Sequence, residues 1–303
     1  MVAVNRFCVL CLVCLALSAC AFDSKTPLSN DGDATAMCNL GLLYLNGEGV
    51  SQDFVTAAKW FRKAAGLGLA EAQYNLGVAY ATGQGVSQDF ATAHIWTRKA
   101  ALQGLEKAQH NLGVAYAAGQ GVDRNMSEAV KWFAKAADQG NADAQYSIGV
   151  ILVNGDGVKQ NATEALRFFV AAAEQGHLQA QGQAGVMYVN GVGTEPNYLE
   201  AIRWFRQAAE NGLAAAQSNL GISYATGRGV PQDFSEAVAW TRRAAEQGLA
   251  RAQFNLGVAY VQAQGVDKNL AEAQKWFRMA ASQDHGEARK ALDQLSRSAR
   301  AAD

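Results

Sequence analysis

A glycine recurs at Gly41, Gly77, Gly113, Gly149, Gly185, Gly221 and Gly257, always 36 residues from the last. A large aromatic keeps the same step, as Trp60, Trp96, Trp132, Phe168, Trp204, Trp240 and Trp276, so all six tryptophans of the chain share one repeat position. An Ala-Ala pair follows each, from Ala64-Ala65 to Ala280-Ala281. Seven units without insertion or deletion dictate a solenoid, in which each unit buries its apolar face against its neighbours. The hexamer Asn-Leu-Gly-Val-Ala-Tyr, which begins at Asn75, Asn111 and Asn255, is copied for that reason.

Each unit writes two helices. Residues around 70–81 place Ala72, Leu76, Ala79 and Tyr80 on one helical face. The loop that follows contains Gly83 and Gly85, which supply backbone freedom that other residues lack. The second helix opens at Asp53, Asp89, Asn125, Asn161, Asn197, Asp233 or Asn269. Three residues later stands Thr in the first two units and Glu in the other five, from Glu128 to Glu272, which predicts an Asx-x-x-Glu capping box in those five. Glycines such as Gly68 and Gly104 end the second helix. The expected fold is therefore all-α: a right-handed α-solenoid of seven helix–turn–helix units. Two units drift from the pattern. The fifth has Ala184 for the usual Leu and Thr194 for Val; the seventh has Ala263 and Asp284 where glycines are expected. The segment after residue 285 keeps the helix-A alanine as Ala288 but loses the Leu-Gly pair, and reads as a polar C-terminal capping helix.

Half of the 303 residues are apolar, enough to bury a sizeable core. The formal net charge is -1 and no basic block occurs along the chain. Nucleic-acid binders usually need a basic stripe to release counterions from phosphate, so that partner class is not expected.

Residues 1–19 read as a targeting segment: Arg6 precedes an apolar run from Phe7 to Leu17, too short for a membrane span of about 20 residues. The run ends Leu17-Ser18-Ala19-Cys20 and resembles a bacterial lipobox, with Cys20 the lipidated residue; the alternative is an ordinary signal peptide that ends in cysteine. Lipidation would leave Cys38 as the sole free thiol, so the mature chain could form no internal disulfide. Residue 21 is Ala; by resemblance to enterobacterial lipoproteins, the absence of Asp there implies the periplasmic face of the outer membrane. Residues 20–33, polar with Pro and Gly, read as a flexible tether.

The pattern A-x-A-x-x-x-L-G-x-x-Y-x-x-G-x-G-V, then an Asx cap, A-x-x-W, A-A and G, resembles the Sel1-like repeats, relatives of the tetratricopeptide repeats, over residues 34–285. The resemblance implies protein–protein contact without naming a partner. Residues 286–303 then form the cap and tail.

Positions held constant in all units are explained by packing; positions that change could carry specificity. The most variable first-helix site is that of Tyr74, with equivalents Cys38, His110, Tyr146, Gly182, Ser218 and Phe254. Position 71 varies as well, and lies three residues away on the same face. A recurrent Asn stands beside them: Asn39, Asn75, Asn111, Asn219 and Asn255. In tetratricopeptide-like arrays the first helix lines the concave groove, so the resemblance implies that Tyr74, His110, Tyr146 and Phe254, with Asn75, Asn111, Asn219 and Asn255, grip a protein or peptide. An Asn amide can pair with both donor and acceptor of an extended backbone. The alternative is that these asparagines bond to neighbouring helices within the array. Packing alone is not expected to tolerate Tyr, His, Gly and Cys at equivalent sites.

No HExxH, Ser-x-x-Lys, Gly-x-Ser-x-Gly or P-loop occurs, and His94, His110, His177 and His285 have no metal-ligand spacing, so no enzyme activity, cofactor or metal is expected. The Gly-x-Gly-Val loops follow helices rather than strands and read as turns. The expected function is a non-catalytic interaction scaffold, lipid-anchored in the bacterial envelope. The alternatives are an enzyme acting on β-lactams or peptidoglycan, or an exported factor that contacts a host.

Overall fold

The computed structural model describes residues 32–300, and every regular element among them is a helix. The protein is an all-α solenoid that divides into two compact units, residues 1–161 and 162–303. In the first unit the first helices of successive repeats are α1 (Ala34–Asn46), α3 (Ala70–Thr82), α5 (Glu106–Ala118) and α7 (Ala142–Asn154). The second helices are α2 (Phe54–Gly66), α4 (Phe90–Leu102) and α6 (Met126–Asp138). The second unit opens with a second helix, α8 (Ala162–Glu174). It continues with first helices α9 (Leu178–Asn190), α11 (Ala214–Thr226) and α13 (Ala250–Gln262). Their partners are α10 (Tyr198–Glu210), α12 (Phe234–Glu246) and α14 (Leu270–Ala281), and α15 (Gly286–Arg300) follows.

The caps at Asp53, Asp89, Asn125, Asn197, Asp233 and Asn269 form as the sequence predicts. The Asp53 carboxylate accepts from the N–H groups of Val55 and Thr56, and the Asn125 carbonyl accepts from Glu128 N–H. The reciprocal half of the capping box takes another form. The cap's own N–H donates to a carbonyl near the end of the preceding first helix: Asp53 to Tyr44 at 2.8 Å, Asp89 to Tyr80 at 2.9 Å, Asn125 to Tyr116 at 2.8 Å. The tight loop folds the cap back onto that helix, so the N–H is already satisfied and the glutamate is released. Glu128 and Glu200 pair instead with Lys131 and Arg203, and Glu236 accepts from the Trp240 indole.

The two loop glycines have different duties. Gly83 closes α3 in the left-handed region, at φ +74°, and its N–H donates to Ala79 O. The same position holds Ala263 at φ +56°, so a Cβ fits there with only local strain. The second glycine is also left-handed, yet it lies against the preceding repeat. A Cβ on Gly85 would stand 1.9 Å from Phe54 O, and one on Gly121 1.9 Å from Phe90 O. No side chain can occupy that space. In the first repeat Gly49 has the same φ, +72°, and nothing within 4 Å.

Within a pair such as α5–α6 the helix-A glycine permits close contact: a Cβ on Gly113 would meet the Phe133 ring at 2.7 Å. Buried leucines and alanines fill the joint, as in the cluster of Ala100, Ala101, Ala108, Leu112 and Trp132. At the C-terminal end, Ala288 is buried, and Leu292 and Leu295 pack on the cluster of Ala273, Phe277 and Ala280. The helix thus caps the last pair, as expected of the segment after residue 285.

A glutamine pairing ties four of the second helices, α4, α6, α12 and α14, to the helices before them. Gln73 donates to Ala65 O, and Gln103 donates to both Gln73 Oε1 and Gly68 O at 2.9 Å. Gln109 with Gln139, and Gln253 with Gln283, repeat the arrangement. In the fifth repeat the reaching residue is Asn211, one methylene shorter, and its amide turns to Gln207 O. The buried Gln181 Oε1 is left without a partner. Restoring the reach with Asn211→Gln should stabilise the protein by about 1 kcal/mol. A urea titration followed by circular dichroism checks this, and an unchanged or lowered midpoint would refute it.

Candidate partner-binding surface

The first helices are covered on most sides by second helices before and after them, which leaves a narrow strip. On α3 that strip follows positions 71, 75, 78 and 82, spaced i, i+4, i+7 and i+11 along one face; there Glu71 and Thr82 are half-buried and Asn75 and Val78 are buried. It is most open where side chains leave α7, α9, α11 and α13 as Asp143, Gln179, Ala215 and Arg251, which are exposed. Positions 78 and 82 were missed in the sequence, although adding 7 and 11 to position 71 finds them.

The structure places the residues singled out by variability closer to the joint between repeats than to the strip. His110 is 8% exposed and its ring packs 5.5 Å from that of Phe133. Cys38 and Ser218 are fully buried. Tyr74 and Tyr146 are half-buried, and burial pushes both phenols above their ordinary pKa, so each keeps its proton near neutrality. Phe254 is half-buried between Phe277 and a stacked His285, whose centroid lies 4.8 Å away.

Packing does accommodate this variety, contrary to the expectation from sequence, because the next repeat adjusts. Asn75 Nδ2 donates to Cys38 Sγ at 3.8 Å, and Asn111 Nδ2 donates to the Tyr74 hydroxyl at 3.3 Å. Arg251 donates to Asn219 Oδ1 at 2.6 Å and reaches Ser218 Oγ at 3.4 Å. Where Gly182 offers no side chain, Leu213 moves in: a Cβ there would stand 2.8 Å from its Cδ2. Three of the four asparagines thus bond between repeats. Asn75 is buried as well, whereas Asn111 and Asn219 keep part of their surface open. Asn255 is half-buried and makes no hydrogen bond among the described residues. The strip therefore offers amides, one free and two partly engaged, beside side chains of mixed charge.

Each histidine has a local setting. His177 Nδ1 accepts from Ala180 N–H as the cap of α9, and His285 Nδ1 accepts from Ala288 N–H. His94 stands edge-on to Tyr116 with Nδ1 unpartnered; burial, helped by Arg98, lowers its pKa and keeps it neutral. Among the described residues no three His, Cys, Asp or Glu side chains gather as a metal site. Cys20, the expected lipidation site, lies outside the described residues.

Comparison with known proteins matches this geometry to a family. The Sel1 repeat model matches residues 34–69, 70–105, 106–141, 142–177, 178–213, 214–249 and 250–285. The chain is similar to c5321, a protective antigen of uropathogenic Escherichia coli with an SLR fold, at 40% identity and a TM-score of 0.83. That match covers 87% of this chain but 56% of c5321, so the chain spans little more than half of that protein. A Sel1 repeat protein from Oxalobacter formigenes matches at 37% identity and a TM-score of 0.69, covering 87% of this chain and 76% of that one. No curated protein matches the chain.

Proposed function

From the premise that this chain belongs to the Sel1 repeat family, whose members are generally protein-interaction scaffolds, we propose that it is a non-catalytic scaffold that holds a protein or peptide partner along its first-helix strip. The observation that carries this reading is the strip itself, a surface whose shape is fixed by glycine and alanine packing while its side chains change from repeat to repeat. Asn255 supplies an amide that no internal partner uses, and Asn111 and Asn219 supply part of theirs. An extended peptide offers a donor and an acceptor at every residue for such groups. Tyr74, Tyr146 and Phe254 contribute the edges that remain open, whereas His110 and Asn75 act from inside the joint.

A photo-crosslinking residue placed at Asp143 or Ala215 should yield a defined covalent adduct in the native envelope. The same residue at Ala239, on the outer face of α12, should not. Equal labelling from both faces would remove the case for the strip.

The proposal includes an envelope location. Lipidation at Cys20 after removal of residues 1–19, with residues 20–33 as a tether, would hold the repeats at the periplasmic face of the outer membrane. A Cys20→Ser chain should then leave the membrane fraction. The likeness to a protective antigen supports a second placement, exposed at the cell surface. Protease treatment of intact cells separates the two, since only a surface-exposed array would be cut.

A further inference from the structure

The outer faces of α2 and α4 differ from those of the other second helices. Neither helix contains a carboxylate, whereas α6, α8, α10, α12 and α14 each carry one or two. The two helices present Lys59, Arg62, Lys63, Arg98 and Lys99, all exposed. Among the described residues, no carboxylate forms a salt bridge with any of the five. Lys63 and Lys99 lie over the rings of Trp60 and Trp96, and Arg62 donates to the Tyr80 hydroxyl at 2.9 Å. The caps Asp53 and Asp89 lie on this side too: hydrogen bonds from Thr56, helped by the Lys59 charge, hold the Asp53 carboxyl below its ordinary pKa, and Asp89 lines the cleft beside α2. Their oxygens are taken by backbone N–H groups and by the hydroxyls of Thr56 and Thr92.

Apolar surface is concentrated in the same place. Of ten large apolar residues exposed among the described residues, six fall between Phe54 and Leu102. Val55 is 52% exposed and Ile95 53% exposed, both on the stripes that carry Arg62 and Arg98. Between α2 and the loop that leads from α3 into α4 lies a cleft of about 420 Å³, with Lys59 and Arg62 on one wall and Tyr80, Ser87 and the cap Asp89 opposite. The equivalent cleft of the second unit, about 460 Å³, has Arg206 and Tyr224 in the same places but adds Glu210 and Glu236.

We propose that the outer face of α2 and α4 is a second docking surface, which takes an acidic protein segment whose carboxylates alternate with large apolar side chains. The charge selects the partner's sign, and the exposed Lys59 and Arg62 on the α2 wall of the cleft receive its carboxylates. The exposed Val55 and Ile95 require apolar contact as well, which a polysaccharide would not supply. This surface lies on second helices and does not depend on the first-helix strip.

The test uses the purified chain and a fluorescein-labelled 16-residue peptide of alternating glutamate and leucine, read by anisotropy at 150 mM salt. Peptides of glutamate with serine, and of lysine with leucine, serve as controls. Binding of the glutamate–leucine peptide alone is the expected result. A chain carrying Lys59→Glu, Arg62→Glu and Arg98→Glu should bind it at least about tenfold more weakly with helicity unchanged. A chain carrying Arg206→Glu and Arg242→Glu should bind as the parent does. No binding of the peptide, or equal weakening in both variants, would overturn the proposal. So would capture by phosphatidylglycerol vesicles in place of the peptide, which would make the face a lipid-binding one.

Discussion

Gly85→Ala should destabilise the protein by about 3 kcal/mol or more, and Gly49→Ala by only about 1 kcal/mol. The two glycines have the same backbone, at φ +73° and +72°, so the strain of placing an L-residue in the left-handed region is common to both. The difference is what stands in front of them. The Gly85 Cβ would fall 1.9 Å from a backbone carbonyl of the preceding repeat, whereas Gly49 has no neighbour within 4 Å among the described residues. A carbonyl inside a helix cannot swing aside as a side chain can, so the neighbouring helix must shift and uncover apolar contacts. Urea unfolding of both variants, followed by helical circular dichroism, checks the prediction. Losses that agree within about 0.5 kcal/mol would show that only the dihedral matters, and the close approach would then play no part in joining the repeats.

Trp204→Ala should be comparably severe, at about 3–5 kcal/mol. Trp204 is 1% exposed, deeper than Trp132 or Trp276 at 8% and 6%. The equivalent repeat position explains its depth. In the third repeat Leu112 and Trp132 share one cluster; the fifth repeat has Ala184 where Leu112 would stand, which leaves volume that a close-packed interior would fill with the indole. Its Nε1 has no hydrogen-bond partner, so Trp204→Phe should lose packing without losing a bond and cost far less than Trp204→Ala. Ala184→Leu alone should overpack the site and destabilise. Combined with Trp204→Phe, it should recover about 1 kcal/mol relative to the sum of the two changes. Strict additivity in that cycle would mean that Trp204 and Ala184 do not share space.

The sequence made the helix pairs legible because every signal repeats: the caps, the loop glycines and the Trp step support one another across seven units. The half-formed capping boxes were not legible, since the Tyr carbonyls that replace the glutamates arrive by the folding back of the loop. Variability at Tyr74 and its equivalents pointed towards the partner, but some of it reflects compensation inside the joint, as when Leu213 fills the place left by Gly182. Adjacent positions on a helix differ by about 100° in direction, so Asn111 can reach the strip while His110 turns inward. The basic face escaped for a different reason. Its charges come in ones and twos, 36 residues apart, so no run of lysine and arginine appears in the chain. The solenoid assembles the patch from equivalent positions, and only reading down the repeats would have exposed it.

The contact between a loop glycine and the preceding second helix also fixes how such a chain can grow. Five of the loop glycines, Gly85, Gly121, Gly193, Gly229 and Gly265, form a notch against a carbonyl of the repeat before, and at Gly157 the Met126 side chain stands there instead. A duplicated 36-residue segment therefore arrives with a plug for its successor and a socket for its predecessor, and requires no new residue to be accepted. The insertion of a single residue in a second helix would turn the plug by about 100° and undo the fit. Length in this fold therefore changes most readily in whole units, and the notch at Gly49, open among the described residues, has the form that would receive a unit placed before the first repeat.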